Sequence, residues 1–137
     1  MEQKAAKVVV RCRDKRIIKG YTFDFSPARD TMHVIDVLDE RKVTEVALSE
    51  IKAVFYVRTF EGNPSRAKPK DFSEQSLKGV PGVKLKVTFE DGEVMYGTAN
   101  AYAPGRKGFF ITPADKNSNN ERVYIVAEST KSVHAWR

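Results

Sequence analysis

The chain of 137 residues is 41% hydrophobic and 31% charged, a balance that excludes an intrinsically disordered chain and argues against long membrane-spanning helices. Its 24 Lys and Arg residues outnumber its 18 Asp and Glu residues, and the net charge of +6 favours an anionic partner such as nucleic acid, a nucleotide or an acidic protein. The charge is evenly spread, because residues 1–57, 58–82 and 83–137 each carry +2.

The N-terminal residues lack the apolar stretch of a signal peptide, so we expect a cytoplasmic protein that does not insert into membranes. They lead into the first predicted strand, in which Val8, Val10 and Cys12 alternate with Arg11 and Arg13. This period of two is typical of a half-buried strand. Cys12 is the single cysteine, so it closes no internal disulfide and is expected to be a small buried hydrophobic residue.

Turn-type residues divide the rest of the first half into four more strands. Asp14-Lys15 favours a turn into a second strand that ends near Gly20, and Pro27 marks a loop before the third strand. The remaining predicted strands of this half are 31–37, 45–48 and 51–57.

A segment rich in proline and glycine, residues 58–82, follows the first half and is too polar for a core strand. We interpret it as a linker or wrapping segment, anchored on the strands by Phe60, Phe72 and Leu77. The segment divides the chain into three predicted parts: 1–57, 58–82 and 83–137.

The second half shows the same succession of strands. Val83, Leu85, Val87 and Phe89 alternate with polar residues, and Asp91-Gly92 is a strong signal for a type I′ hairpin. The later predicted strands of this half are 93–98, 108–112, 122–127 and 132–136.

An internal repeat relates the halves at an offset of 77 residues, which sets Gly20 against Gly97. We expect the register to hold without a gap from Val8 to Leu48, with two extra residues near Glu128 in the second half. Other identical pairs are Val10/Val87, Asp14/Asp91, Pro27/Pro104, Arg29/Arg106 and Val46/Val123. The pattern indicates an internal duplication of a five-stranded unit.

Five short strands protect their edges best by curling into a small barrel, so the fold class predicted is all-β. The order of elements resembles that of Sm-like and SH3-like small barrels: an alternating strand, a turn, a strand with glycine, a third strand and a closely linked final pair. The resemblance implies two tandem barrels joined by the linker, and the sequence leaves open whether they are separate or share strands in one larger sheet. The Asp and Asn residues of the Sm nucleotide pocket are not matched, so it bears on fold rather than function.

The chain also resembles a bacterial domain family of unknown function, found alone or near PilZ-type signalling domains. The segments that carry this resemblance are Lys19–Thr22, Phe60–Pro64, Gly108–Phe110, Pro113–Asp115 and Ser118–Arg122. It implies no catalytic residue or cofactor. We therefore expect a non-catalytic binding or adaptor module of bacterial signalling that recognises a protein. The candidate partner-binding loop is Asn119, Asn120, Glu121 and Arg122.

A basic hairpin supports an alternative function, the binding of nucleic acid or of a nucleotide such as cyclic di-GMP. A solvated charged face is the structural explanation of the same residues. Residues 24–29 match only the first half of the PilZ ligand motif, because Arg29 replaces its glycine. The candidate phosphate contacts are Arg11, Arg13, Lys15, Arg16, Lys19 and Arg29.

The sequence contains no complete metal-binding motif and no recognisable catalytic motif. Residues 115–119 have the spacing of a calcium loop, but Val126 stands where the chelating Glu is required. His33 and His134 have no metal-ligand spacing and are interpreted as structural. Since no Walker loop, nucleophile elbow or triad context is recognisable either, we predict a protein that is not an enzyme.

Overall fold

A computed structural model describes residues 5–60, 81–100, 102–103, 105–114 and 120–136. Within them the chain is almost entirely β, with ten antiparallel strands and two single-turn 3-10 helices, Leu48–Glu50 and Ala127–Ser129. None of the described helices is long and apolar enough to cross a membrane. The strands are β1 (Ala6–Cys12), β2 (Ile17–Thr22), β3 (Thr31–Asp36), β4 (Val43–Ala47), β5 (Ile51–Val57), β6 (Val83–Phe89), β7 (Val94–Ala99), β8 (Gly108–Pro113), β9 (Asn120–Val126) and β10 (Thr130–Trp136).

All ten strands belong to one sheet with the order β10-β6-β7-β8-β9-β5-β1-β2-β3-β4. The first half (β1–β5) and the second half (β6–β10) have the same internal order. They are joined by an antiparallel ladder between β5 and β9, in which Phe55 lies opposite Val123. The all-β prediction is confirmed. Two separately closed barrels are not confirmed, because the sheet runs continuously through this ladder.

Two hydrophobic cores share the strands of the junction. Val8 and Val10 of β1 are fully buried in the first core, as their alternation predicts, and Tyr124 of β9 packs with them. Phe55 of β5 and Val123 of β9 pack in the second core. Both junction strands are therefore buried on two faces, which is why they are nearly continuous runs of apolar residues.

Gly20 and Gly97, which anchor the repeat, lie where the second and third strands of each half approach closely. A Cβ atom on Gly97 would lie 2.5 Å from the carbonyl oxygen of Thr112, and one on Gly20 would overlap the carbonyl of Ile35. Only glycine fits at this approach, because the obstacle is main chain rather than a side chain that can rotate.

The ladder registers correct the position of the two extra residues in the second half. Met32 pairs with Val46, and its counterpart Phe109 pairs with Ile125. Val46 therefore matches Ile125, not Val123, and the predicted gapless register to Leu48 is wrong. The extra residues precede β9 in the connection from β8, where an insertion leaves the ladder undisturbed.

The predicted hairpin at Asp91-Gly92 is present, but its predicted type I′ geometry is wrong. Gly92 has a φ of 92°, whereas Asp91 does not have a positive φ, and the Gly92 N–H donates to the carbonyl of Phe89. Lys15 holds the corresponding left-handed position of the first turn with a φ of 76°, and Cys12 is 2% exposed, as predicted. Phe60 packs edge-to-face on Tyr21, with ring centroids 5.3 Å apart. The predicted anchors in residues 61–80 lie outside the described residues, and the three-part division stays a prediction.

Candidate functional site

The predicted basic hairpin, β1–β2, lies against the acidic β6–β7 hairpin of the other half. Arg13 Nη2 lies 3.1 Å from Glu90 Oε2, and its Nη1 lies 3.7 Å from Glu128 Oε2. Arg11 Nη1 lies 3.8 Å from Glu93 Oε2, with its guanidinium over the ring of Phe55. Two of the predicted phosphate contacts are thus ion-paired across the junction.

The remaining residues of the basic hairpin have mostly local partners. Arg16 Nε lies 2.7 Å from Asp14 Oδ2, and the hydrogen bond from the Arg16 backbone N–H is the main cause that lowers the pKa of Asp14. Lys19 Nζ donates to the carbonyl of Phe60 at 3.5 Å, and Lys15 occupies the left-handed position of the turn. The cluster is a partly neutralised surface that links the halves.

A lysine that sequence reasoning did not single out lies at the centre of this junction. Lys52 Nζ lies 2.7 Å from Asp91 Oδ2, 2.6 Å from Glu93 Oε1 and 4.6 Å from the centroid of the Phe89 ring. Its side chain is 10% exposed. Its hydrogen bond is the largest cause that lowers the pKa of Asp91.

An open groove lies in the second half where β7 and β8 diverge. These strands pair only at Gly97–Pro113 and Thr98–Thr112, and beyond this point a space of about 590 Å³ separates them. We call it the β7–β8 groove. Its lining includes Asn100, Tyr102, Arg106, Phe110, Arg122 and Tyr124.

Arg122, from the predicted partner-binding loop, is held in this groove by aromatic rings. Its guanidinium carbon lies 4.3 Å from the centroid of the Tyr56 ring and 4.8 Å from that of Phe110. Among the described residues, neither Arg122 nor Arg106 forms an ion pair with a carboxylate. The groove therefore carries positive charge on an aromatic wall.

The described residues of the predicted loop are the first residues of strand β9, not a loop. Asn120 begins β9 and the exposed Glu121 follows it, and neither is among the residues that line the groove. Asn119 lies outside the described residues. Arg29, the first-half counterpart of Arg106, lies in a separate exposed depression beside Lys107. Arg13 of the basic hairpin borders the same depression, because it donates to the carbonyl of Ser49 and lies 3.7 Å from Glu128, and both of these residues line it.

The main chain of β8 also contributes to the groove. Ala114 donates its N–H to the carbonyl of Tyr96 on β7 at 3.0 Å, and alternate residues of a strand direct their N–H groups to the same side. The N–H groups of Thr112 and Phe110 therefore also point towards β7. At Phe110 the strands have diverged, and within the described residues no acceptor meets this N–H.

The first half fills the matching gap with one of its own carboxylates. Asp24 Oδ1 accepts from the N–H of His33 at 3.0 Å and from Thr22 Oγ1 at 3.2 Å, and Asp24 Oδ2 lies 2.6 Å from His33 Nδ1. Desolvation opposes ionisation, but the hydrogen bonds from His33 and Thr22 prevail and lower the pKa of Asp24. Asp24 first and Glu45 second raise the pKa of His33.

In the described part of the chain, no group of three or more His, Cys, Asp or Glu residues is arranged so that it could hold a metal ion. The calcium-like spacing at 115–119 falls outside the described residues. Sequence reasoning identified Arg122 through its loop but missed the groove, because the divergence of β7 and β8 has no periodic signature. The one available signal was the presence of Tyr102 and Phe109-Phe110 beside the repeated Arg106.

Comparison with known proteins places this chain in a family rather than next to a characterised relative. A model described as a family of unknown function, DUF6982, matches residues 4–136. Neither the curated proteins nor the solved structures give a match. The matched range includes both halves of the sheet and the segment between them. The chain therefore belongs to DUF6982, a family of unknown function.

Proposed function

We propose that this protein is a non-catalytic binding module that holds a segment of a protein partner in the β7–β8 groove. The contrast between two arginine sets supports this proposal. Arg11 and Arg13 face carboxylates of the other half, whereas Arg106 and Arg122 line an open groove and have no described carboxylate partner.

The shape of the groove suits an extended polypeptide segment. Its volume of about 590 Å³ lies within the range of about 300–1,000 Å³ common for ligand sites. The rings of Tyr102, Phe109 and Phe110 offer apolar contact, and the diverging strand β8 offers main-chain groups to an extended chain. Protein recognition by strand addition uses this combination of main-chain and side-chain contacts.

We place the module in the cytoplasm and in bacterial signalling, in the company of PilZ-type domains. The support is the family resemblance of its sequence segments. We also infer that the halves arose by duplication of an Sm-like or SH3-like unit. The shared strand order supports this inference, as do matching irregularities in the ladders, which skip Lys52 in one half and Lys131 in the other.

Site-specific cross-linking tests the proposed docking site. A photoreactive residue at Thr112, inside the groove, should trap a partner, and the same residue at Ile17, exposed on the first half, should not. The trapped protein is then purified and titrated. Arg122→Glu should abolish its binding, whereas Arg29→Glu, at the repeat position of Arg106, should leave it unchanged. Equal binding by both variants would reject the groove as the docking site.

Phosphate recognition by the basic hairpin is the second candidate, because Arg11 and Arg16 keep 44% and 52% of their side-chain surface exposed. It requires RNA, DNA or cyclic di-GMP to compete with the carboxylates already paired to these arginines, so binding should weaken steeply with salt. Titrations at low salt with Arg11→Glu plus Arg13→Glu test it. Unchanged or absent binding would exclude this function.

A further inference from the structure

The two halves differ in what occupies the gap between their second and third strands. In the first half the carboxylate of Asp24 accepts from the outward N–H of His33. The ladder registers make Phe110 the counterpart of His33. An N–H pointing out of the third strand is therefore common to both halves, and the first half shows that a carboxylate satisfies it.

The second half has no acid at the repeat position of Asp24, and its groove has one cation, Arg122, that the first half lacks at the matching position. The repeat sets Ala101, a residue outside the described part, against Asp24, and alanine has no side-chain acceptor. Extending the β8–β9 register by one residue sets Arg122 against Val43, so a guanidinium stands where the first half has an aliphatic side chain. Because Arg106 also lines the groove, the positive charge of the groove is complementary to an acidic group of a bound ligand.

We propose that the segment bound in the β7–β8 groove presents an Asp or Glu side chain, whose carboxylate accepts from the Phe110 N–H and pairs with Arg122. This inference rests on the proposed function, and it assigns the chemical class of the ligand. The partner is an acidic, extended protein segment that supplies in trans what Asp24 supplies in cis.

The position of Arg122 prepares it for this role. Its guanidinium lies over the rings of both Tyr56 and Phe110, which restricts the side chain before a ligand arrives, so less conformational entropy is lost on binding. A planar guanidinium also suits a carboxylate, which it can meet with two parallel hydrogen bonds. The Phe110 N–H, on the strand beside it, adds a donor with fixed direction.

The experiment uses the full chain labelled with ¹⁵N and two blocked probes, acetyl-Gly-Ser-Asp-Ser-Gly-amide and the same peptide with Asn for Asp. The Asp peptide should shift the Phe110 amide resonance and bind about fivefold or more tightly than the Asn peptide, because hydrogen bonds to a charged acceptor are stronger. Arg122→Gln and Arg106→Gln should each weaken its binding. Arg29→Gln, the matched control, should not.

Three results would overturn the carboxylate assignment: equal binding of the two peptides, an Asp-dependent shift that Arg122→Gln leaves intact, or binding of inorganic phosphate but of neither peptide. The cross-linking experiment separates this failure from failure of the proposed function. If a partner is trapped at Thr112 but still binds after its acidic residues are replaced, the proposed binding module stands and the carboxylate assignment is wrong. If no partner is trapped there, both are wrong.

Discussion

Lys52→Met removes a positive charge at the junction of the halves and retains the aliphatic stem of the side chain. Lys52 is 10% exposed, whereas its partners Asp91 and Glu93 are 35% and 41% exposed. Water can therefore hydrate the two carboxylates once the ammonium is gone. The reverse change, Asp91→Asn with Glu93→Gln, leaves a buried ammonium without a negative partner.

This asymmetry sets the expected size of each effect. Removing one member of an ion pair is costly when the charge left behind is buried, but the carboxylates that Lys52→Met leaves are partly exposed, so we expect it to change the free energy of unfolding by about 1 kcal/mol or less. Removing the partners of a buried charge costs about 3–5 kcal/mol, and their partial exposure reduces our expectation for the double variant to about 2–4 kcal/mol. For a chain of this length, that lowers Tm by roughly 6–15 °C.

Urea and thermal unfolding followed by circular dichroism measure these differences. Lys131→Met is the matched control, because Lys131 holds the same repeat position in an exposed strand, and it should stay within about 0.5 kcal/mol of the parent chain. If Lys52→Met lowers the free energy of unfolding more than Asp91→Asn with Glu93→Gln does, the argument that the buried ammonium depends on its partly exposed carboxylates is refuted.

Three further changes probe other parts of the structure. The pKa of His33 is raised above its ordinary 6.5, chiefly by Asp24, so the stability that protonated His33 adds is complete below pH 6.5 and is lost as the pH rises through the folded-state pKa. The urea midpoints of the parent chain and of His33→Gln should therefore converge as the pH rises through that pKa. Gly97→Ala should cost about 1–3 kcal/mol in urea unfolding, because its Cβ would meet main chain of β8. Arg13→Glu should destabilise by about 1 kcal/mol at low salt through repulsion from Glu90, and less in 1 M salt; equal losses at both salt concentrations would contradict an electrostatic cause.

The strands and their pairing within each half are predictable from the sequence, because local chemistry determines them. Alternation identified the buried face of β1 at Val8 and Val10, and the Asp91-Gly92 turn identified the β6–β7 hairpin. The offset that joins Gly20 to Gly97 reflects a physical constraint, the close approach of two strands at each glycine. The alternation within each strand, the turn residues and the glycine at each close approach all depend on residues within the same half of the chain.

The junction and the groove could not be predicted, because they depend on how distant segments meet. The sequence predicts Arg13 as a candidate phosphate contact, whereas the fold places Glu90, 77 residues away in the chain, beside its guanidinium. The β5–β9 ladder likewise pairs strands whose sequences show only that they are buried. Arg122 belonged to a candidate loop, but its stacking on Tyr56 comes from the other half.

The central claim is that Arg122 and a ligand carboxylate recognise each other in the β7–β8 groove, and a double-mutant cycle tests it most directly. The affinities of the Asp and Asn peptides are measured for the parent chain and for Arg122→Gln. We expect the preference for the Asp peptide, about fivefold or more in the parent chain, to fall in the variant, where the Phe110 N–H and Arg106 remain. The same preference in both proteins would contradict the claim.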